Sequence, residues 1–174
     1  NCLSSGNYNF VNSNSYIVAG YHGTHVAGTI AAVSNNGKGI AGIAGGDKAN
    51  GKPGVKLMSC QIFLDNPDGT TSSVGGAAAI KYGADNGAVI SQNSWGYLGA
   101  NHTPQVDKIA IDYFTEFAGT DKYGNQVGPM KGGLVIFAAG NESVEFAHPS
   151  MYETCLSVAA IGPRGKYAYY TNYG

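Results

Sequence analysis

The segment G-L-V-I-F-A-A-G-N-E, residues 133–142, combines a strand pattern with polar residues at its end. Its apolar run is bounded by glycines and is far too short to span a bilayer, so it predicts a buried strand over residues 133–139. Asn141 and Glu142 follow that strand directly. In parallel sheets, functional groups collect just beyond the carboxyl ends of the strands. We therefore expect a functional site where this strand ends.

Segments with strand and helix patterns alternate on both sides of this strand. Apolar runs bounded by turn residues predict further strands over residues 55–63, 88–91 and 156–161. Small-residue or amphipathic patterns predict helices over residues 24–33, 72–86 and 104–118. The D-N-P-D-G turn at residues 65–69 ends the first of these strands. This alternation predicts an α/β fold with a mostly parallel central sheet.

Each predicted helix has an expected buried side. The helix over residues 24–33 consists mostly of small apolar residues, so we expect it to pack on the sheet and to be buried on most sides. Ser72 or Ser73 is the candidate cap of the second helix. The expected buried residues of the second helix are Val74, Ala77, Ala78, Ile80 and Ala84. Those of the third are Val106, Ile109, Ala110, Tyr113, Phe114 and Phe117.

The composition excludes several classes of protein. Of the 174 residues, 27 are Gly, and charged residues make up only 12%, against about 25% in an average chain. The glycines have no three-residue period and the apolar fraction is 43%, which excludes collagen-like and disordered chains. A net charge of −1 gives no electrostatic argument for binding to nucleic acid or to an anionic membrane. The length suits one domain or part of a larger one.

The three cysteines do not indicate a disulfide framework or a zinc site. Cys2, Cys60 and Cys155 are odd in number and widely spaced, and no C-x-x-C pair is present. Cys60 and Cys155 lie among apolar neighbours, so we expect buried thiols rather than a bridge or a nucleophile. The cysteines therefore do not indicate whether the protein acts in an oxidising or a reducing compartment.

Three polar segments are candidates for chemistry. His22 stands at the start of a predicted helix, where an imidazole can transfer protons near neutral pH. Its alternatives are a structural residue or, with His25, half of a metal site, although no third ligand of the H-E-x-x-H type accompanies the pair. Asn141 can donate a hydrogen bond to a developing oxyanion, or simply occupy a turn.

The third candidate is the N-S-W-G segment at residues 93–96. It follows a predicted strand, and its exposed backbone groups can pair with an extended peptide. The alternative is a turn that contains a buried Trp. The glycines after strands also raise the possibility of a nucleotide-binding α/β domain. However, no G-x-G-x-x-G or G-x-x-x-x-G-K-[ST] fingerprint stands between a strand and a helix.

Together the segments resemble the subtilisin-like serine proteases, the subtilases. The block H-G-T-H-V-A-G-T-I-A-A, residues 22–32, is similar to the histidine block of that family over eleven consecutive residues. The segments N-S-W-G (93–96), A-G-N-E (139–142) and H-P-S (148–150) follow in the order of the family. The resemblance covers roughly residues 16–174. It implies a three-layer α/β fold with a mostly parallel central sheet, incomplete at both ends.

The resemblance also implies roles for particular residues. His22 is expected to be the general base and Asn141 the side-chain donor of the oxyanion hole. The residues expected to line the cleft and bind the substrate backbone are Ser94, Trp95 and Gly96. Those expected to wall the primary specificity pocket are Ala138, Ala139 and Gly140. Glu142 is expected at its rim, which then admits basic as well as large apolar side chains, and His25 is expected to be structural.

Two catalytic residues of the family have no counterpart in the sequence. The first acidic residue is Asp47, well after His22, and no Gly-Thr-Ser or Gly-x-Ser-x-Gly block occurs. We therefore expect residues 1–174 to be a central fragment of a single subtilase catalytic domain that is inactive alone. The expected parent is a serine endopeptidase with acyl-enzyme chemistry; the alternative is a pseudoprotease or a peptide-binding module.

Cofactor, partners and location are expectations from the same resemblance. No cofactor is expected for the reaction and no metal ligand is assigned, but the family allows structural calcium near Asn35, Asn36 and Gly37. The expected partners are a peptide or protein substrate and the remaining parts of the same protein, another copy or a prosegment. Neither nucleic acid nor a membrane span is expected. Most subtilases are secreted or act at the cell surface.

Overall fold

The helices and strands fall into two groups, one in each part of the chain. The computed structural model describes residues 1–174, which form two compact units, Asn1–Gly75 and Gly76–Gly174. The first unit contains β1 (Tyr8–Asn9), α1 (Tyr21–Ala31), β2 (Gly46–Asp47), β3 (Lys52–Pro53), β4 (Cys60–Gln61), β5 (Phe63–Asp65) and β6 (Thr71–Ser73). The second contains α2 (Ala77–Asp85), β7 (Ile90–Asn93), α3 (Gln105–Phe117), β8 (Leu134–Ala138) and β9 (Cys155–Val158).

The strand at residues 134–138 is the centre of a parallel sheet. β8 pairs in parallel with β7 on one side and with β9 on the other. Val135 lies opposite Ser91 and Cys155 in this register, and Phe137 lies opposite Asn93 and Ser157. Each strand connects to the next through a crossover, the first of which contains α3. The predicted α/β class and parallel pairing are therefore confirmed.

One face of this sheet forms the core of the second unit. Val135 and Phe137 alternate along β8 and are fully buried against α3, whose Phe114 and Ile111 are also fully buried. Ile80 and Ala84 bring α2 into the same cluster. Residues two apart on a strand share a face, so one short strand supplies two large side chains to this core.

The other face of the sheet is open. Ile90 and Leu134 lie opposite each other, and Leu156 and Val158 continue the same face on β9. All four side chains are exposed. A sheet that is apolar on both faces is normally covered on both, so this face lacks the second layer that parallel sheets have. Of the three layers expected from the resemblance, this unit contains two, a layer of helices and the sheet.

The buried side of α3 differs from the expected one. Ala110 and Phe114 are buried as expected, but Ile111 and Asp107 are buried in addition. Val106, Ile109 and Phe117 are exposed, against expectation. The helix carries apolar residues around more of its circumference than one neighbour can cover. α2 and β8 cover only the side that contains Ala110, Ile111 and Phe114.

The second predicted helix begins later than expected. α2 starts at Ala77 with Gly76 as its N-cap, so the proposed caps Ser72 and Ser73 are wrong. Both serines belong to β6, which pairs with β5 in an antiparallel hairpin. The backbone N–H of Asn66 donates to Thr70 O at 2.8 Å, and this bond closes the turn of the hairpin. Residues 65–69 therefore end one strand and begin another.

The hairpin also changes which residues of this region are buried. Val74 precedes α2 and is exposed, as is Ala78 on the outer side of the helix. Ala79, Ile80, Gly83 and Ala84 form its buried side. The strand expected over residues 55–63 is interrupted, because β4 and β5 are separate elements. β4 pairs in parallel with β1, whereas β5 pairs with β6.

Helix α1 packs against a loop of its own unit. The backbone N–H groups of Ile43 and Ala44 donate to Thr29 O at 2.9 Å and to Ile30 O at 2.7 Å. These bonds satisfy carbonyls that a helix C-terminus leaves without intrahelical partners. Only Ala31 of α1 is buried. The prediction of a helix buried on most sides was therefore wrong, because small side chains here allow a close loop contact rather than sheet packing.

No helix in the chain has both the length and the apolar character needed to cross a membrane.

All three cysteines are free thiols. Cys60 and Cys155 are partly buried, and burial raises the pKa of Cys60 to about 11 and that of Cys155 to about 12. The negative charge of Asp112 also raises the pKa of Cys155. Cys2 is exposed. The expectation of unbridged thiols at Cys60 and Cys155 is confirmed, with partial rather than full burial.

We predict that the thiol of Cys2 reacts selectively in the folded protein. Only the thiolate is nucleophilic, so Cys60 and Cys155 should react with iodoacetamide at pH 8 at least about 100-fold more slowly than Cys2. Mass-spectrometric peptide mapping after timed labelling measures each rate. Labelling in urea is the control, in which all three should react alike. Equal rates in the folded protein would contradict the burial described here.

Candidate functional site

Two of the predicted segments leave neighbouring strands at the same edge of the sheet. Ser94 follows β7, which ends at Asn93, and Ala139 follows β8, which ends at Ala138. Asn93 lies opposite Phe137 in parallel register, so both segments start at the carboxyl edge. The second unit therefore brings these two candidates together. His22 belongs to the first unit, where it lies on α1.

In the segment after β7, the side chain of Trp95 is packed while the backbone stays free. The Trp95 ring meets the ring of Phe137 edge-on with centroids 5.0 Å apart, and its Nε1–H donates to Asn93 Oδ1 at 3.2 Å. The ring lies over Gly76, where any Cβ would collide with it. The backbone N–H and C=O groups of Trp95 and Gly96 form no hydrogen bond within the chain. They can therefore pair with an extended peptide.

Two neighbours fix the position of this segment. Ser94 Oγ accepts a hydrogen bond from Gln92 Nε2 at 3.1 Å. The backbone N–H of Tyr97 donates to His148 O at 2.9 Å, which joins the segment to the H-P-S motif of the sequence. A Cβ on Gly96 would approach the same His148 oxygen to 3.1 Å. The free backbone groups thus lie on a segment held from two sides.

Asn141 presents a free side-chain amide after β8. Its side chain is exposed and forms no hydrogen bond within the chain. Its backbone N–H donates to Glu142 Oε2 at 2.8 Å. Gly140 before it has φ = 112°, a conformation that side-chain-bearing residues rarely adopt. The amide of Asn141 is therefore free to donate to a bound group, as an oxyanion donor must be.

Asn172 contacts this loop and was not predicted from the sequence. Its Oδ1 accepts hydrogen bonds from the backbone N–H groups of Glu142 at 2.9 Å and Val144 at 3.3 Å. Its Nδ2 donates to Glu142 Oε2 at 2.9 Å. The side chain is only 2% exposed. No sequence signal points to this residue, because its partners lie about 30 positions earlier in the chain.

A cavity of about 230 Å³ lies beside Glu142. Its apolar lining comes from Tyr97, Leu98, Val144, Phe146 and Ala147. Glu142 and Asn172 contribute polar atoms. Ala138, Ala139 and Gly140, which were expected to wall a specificity pocket, do not line this cavity. Ala138 belongs to β8 and Ala139 is buried, and their role in a specificity pocket stays a prediction.

Tyr97 anchors the cavity wall to α3. Its hydroxyl donates to Asp107 Oδ2 at 2.8 Å, and Asp107 is almost fully buried in the first turn of the helix. Burial, and then the hydrogen bond to this carboxylate, raise the pKa of Tyr97 to about 12. Tyr97 therefore remains a neutral donor at neutral pH. Asp107 Oδ1 has no hydrogen-bond partner in the chain.

His148 follows the cavity-lining residue Ala147 and contacts the loop before α3. Its Nδ1 lies 2.9 Å from Thr103 Oγ1. Burial lowers the pKa of His148, and the positive charges of His102 and Lys108 lower it further. A neutral imidazole therefore holds this contact at neutral pH. Thr103 is itself buried, so this contact lies below the surface.

The ring of His22 is exposed on the first turn of α1. It meets the ring of Tyr21 edge-on, with centroids 6.5 Å apart. This ring contact is the interaction that its own unit offers to the imidazole, and no side chain of the unit hydrogen-bonds to it. His25, one turn further along α1, is exposed as well. The structural role expected for His25 stays a prediction.

The loop that the resemblance links to calcium is closed by its own hydrogen bonds. Asp47 accepts from Asn35 Nδ2 at 2.9 Å and from Asn50 Nδ2 at 2.6 Å, and the amides of Asn50 and Asn35 lower its pKa. Asn36 Oδ1 accepts from the N–H of Lys38. Calcium needs six to eight oxygen ligands, whereas these oxygens already bind N–H donors. The residues as folded do not fit a calcium site.

Comparison with known proteins agrees with the motifs. Residues 4–174 match the profile of the subtilase family. The chain is 37% identical over 157 residues to an extracellular basic protease of Dichelobacter nodosus, covering 88% of this chain and 23% of that protein. It is 31% identical over 172 residues to thermitase of Thermoactinomyces vulgaris, covering 97% of this chain and 52% of thermitase.

Solved structures give the same result. A psychrophilic subtilisin-like protease from the Antarctic psychrotroph Pseudoalteromonas sp. AS-11 matches with a TM-score of 0.67 and 27% identity. The match covers 97% of this chain and 35% of that one. A protease of Pseudoalteromonas arctica matches with a TM-score of 0.65 and 28% identity. The chain thus spans between about a quarter and a half of the length of these relatives. The sequence blocks, the parallel sheet and these similarities together show that the chain belongs to the subtilase family.

Proposed function

We propose that the protein containing this chain is a serine endopeptidase that cleaves peptide bonds through an acyl-enzyme. The observation that carries the proposal is the free side-chain amide of Asn141 at the carboxyl end of β8. It stands beside an unpaired backbone segment and an apolar cavity. A donor, a peptide-binding edge and a side-chain cavity at one sheet edge are what a peptidase needs to hold its substrate and to stabilise the developing oxyanion.

In the proposed mechanism, the chain supplies the base and one oxyanion donor. Asn141 Nδ2 donates to the oxygen that becomes negatively charged in the tetrahedral intermediate. His22 takes the proton of the nucleophilic serine and later gives it to the leaving amine. The exposed imidazole on the first turn of α1 is compatible with this role, since no neighbour in its unit blocks the ring.

The nucleophilic serine and the triad aspartate have to come from residues outside this chain. We propose that further residues of the same protein supply them, and that the isolated chain is inactive. The greater length of the relatives supports this proposal. The exposed Ile90, Leu134, Leu156 and Val158 support it as well, because an apolar sheet face of this kind is normally covered.

The proposed substrate is an extended peptide whose backbone pairs with Trp95 and Gly96. The cavity beside Glu142 then receives one side chain of that peptide. Its lining favours a large apolar side chain, while the carboxylate of Glu142 at its edge favours a basic one. Ser94 belongs to the same segment, and its proposed role is to line the cleft together with Trp95 and Gly96.

The proposed location is outside the cell, in line with the extracellular relative of Dichelobacter nodosus. The proposed chemistry uses protein side chains and needs no cofactor. Structural calcium stays a prediction of the family resemblance alone, since the contacts around Asp47 do not support it.

We predict that a fluorophosphonate probe labels the protein containing this chain but not the isolated residues 1–174. The probe reacts with an activated serine, and activation needs all parts of the site. Gel fluorescence and mass spectrometry of the labelled peptide measure the outcome. Heat-denatured protein is the control for non-specific labelling. A folded but unlabelled whole protein would favour a pseudoprotease or a peptide-binding module.

We predict that Asn141→Ala lowers kcat of the whole protein by about 10²–10³, with little change in KM. This range is the value known for a subtilisin, so it is the family's figure applied to this chain. Cleavage of a chromogenic tetrapeptide measures both constants. Asn12→Ala is the matched control, because Asn12 is also exposed and its side chain is also unpaired. An unchanged kcat would contradict the proposed role of Asn141 as an oxyanion donor.

We predict that Glu142→Gln shifts the side-chain preference at the cleavage site from basic towards apolar. Gln keeps an oxygen for the N–H of Asn141 but removes the charge. The ratio of kcat/KM for a Lys substrate to that for a Leu substrate should fall about fivefold, as the loss of ~1 kcal/mol from a partly exposed ion pair implies. Paired peptides that differ only in this residue provide the measurement. A constant ratio would exclude Glu142 from specificity.

A further inference from the structure

We propose that Asn172 is a positioning residue for the oxyanion donor Asn141. It acts by holding the loop at residues 140–144, called the exit loop below, in one conformation. The inference rests on the proposed function of Asn141. It adds a residue that neither the motifs nor the family roles inferred from the sequence include.

Asn172 contacts the exit loop at both of its ends. The backbone N–H of Asn172 donates to Gly140 O at 3.1 Å, just before Asn141. Its side-chain oxygen accepts from the N–H groups of Glu142 and Val144, just after Asn141. A single residue thus binds the chain on both sides of the proposed donor. Rotation of the Asn141 backbone would have to break at least one of these bonds.

A carboxylate links the Asn172 side chain to Asn141 itself. Glu142 Oε2 accepts from Asn172 Nδ2 at 2.9 Å and from the backbone N–H of Asn141 at 2.8 Å. Hydrogen bonds to an ionised acceptor are roughly twice as strong as neutral ones. Asn172 therefore orients Glu142, and Glu142 fixes the peptide group of Asn141. The side-chain amide of Asn141 stays free to bind a substrate.

The backbone of the exit loop needs this support. Gly140 has φ = 112° and Ser143 has φ = 57°, so two of the five residues adopt conformations that L side chains disfavour. A Cβ at Gly140 would collide with the Asn172 amide. The N–H of Ser143 donates to Tyr170 O at 3.0 Å, and the N–H of Tyr173 donates to Val144 O at 3.1 Å. The whole segment at residues 170–173 thus holds the loop.

Asn172 is itself fixed to the sheet. The neighbouring Thr171 Oγ1 accepts from the N–H of Ala160, just after β9, at 2.9 Å and donates to Asn172 O at 3.2 Å. Thr171 and Asn172 are both buried. These bonds therefore fix the position of the loop after β8 relative to the end of β9, a neighbouring strand in the same sheet. Oxyanion donors have to be preorganised in this way, because small displacements reduce transition-state stabilisation steeply.

The test is a double-mutant cycle in the whole protein, with kcat and KM measured on a chromogenic peptide. Asn172→Ala should lower kcat about 10- to 100-fold and change KM by less than about threefold, because a displacement near 1 Å can cost that much. In the Asn141→Ala background, Asn172→Ala should lower kcat by less than about twofold. Multiplicative effects of the two substitutions would overturn the proposal.

Asn9→Ala is the matched control for a merely structural loss. Asn9 is fully buried, its Oδ1 accepts from the N–H groups of Val11 and Asn12, and its Nδ2 donates to Tyr16 O. It should lower the melting temperature to a similar extent as Asn172→Ala and leave kcat unchanged. An equal fall in kcat for both variants would assign Asn172 to general stability and overturn the proposal.

Asn172→Asp keeps the test decisive if the alanine variant does not fold. Asp retains an acceptor for the N–H groups of Glu142 and Val144 but places a second carboxylate against Glu142. At lower pH, a proton binds between two carboxylates in contact and removes the repulsion between them. The kcat of this variant, relative to wild type, should therefore be about tenfold low at pH 8 and recover towards pH 5. A ratio independent of pH would count against the proposal.

These outcomes distinguish the proposed function of Asn141 from the positioning role of Asn172. If Asn141→Ala leaves kcat unchanged, the proposed function of Asn141 fails, whatever Asn172 does. If Asn141→Ala lowers kcat but Asn172→Ala and Asn172→Asp do not, the proposed function stands and only the positioning role is overturned.

Discussion

The contact between β8 and α3 is the constraint on which the site depends. Val135 and Phe137 of β8 pack without solvent exposure against Phe114 and Ile111 of α3. A strand buried in this way cannot slip by one residue, since a slip would turn Phe137 to the opposite face. The positions of Ala139, Gly140 and Asn141 are thereby fixed relative to the sheet. The same ring of Phe137 also contacts Trp95, so the segment at residues 94–96 and the exit loop share one anchor.

Much of this arrangement could be predicted from the sequence. The apolar run predicts a strand over residues 133–139 and the amphipathic pattern a helix over residues 104–118, each within one residue of β8 and α3 at both ends, because burial imposes their periodicity. The placement of Ser94 and Asn141 at a common sheet edge followed from the parallel pairing alone. Local patterns succeed where one neighbouring element dictates which residues are apolar.

The remainder depends on contacts between distant residues or on elements that have no neighbour. The hairpin of β5 and β6 replaced the start of a predicted helix, because the turn closed by Asn66 brings Thr71, Ser72 and Ser73 opposite β5, and these residues have little helix propensity. The apolar pattern of α3 overstated its buried side, since Val106 and Ile109 have no neighbouring element over them. Asn172 gave no local signal, because its role arises only when residues 140–144 and 170–173 meet.

The position of Asn172 in the chain has a consequence for biosynthesis. A ribosome makes the exit loop before it makes the segment that holds it, because residues 170–173 follow residues 140–144. Until that later segment has emerged and folded onto β9, no contact offsets the unfavourable backbone conformation of Ser143. Asn141, the proposed oxyanion donor, therefore becomes ordered late, after the strands that precede it. A nascent chain that already contains β7, β8 and α3 still lacks the segment that holds the exit loop, which separates folding of the scaffold in time from ordering of that loop.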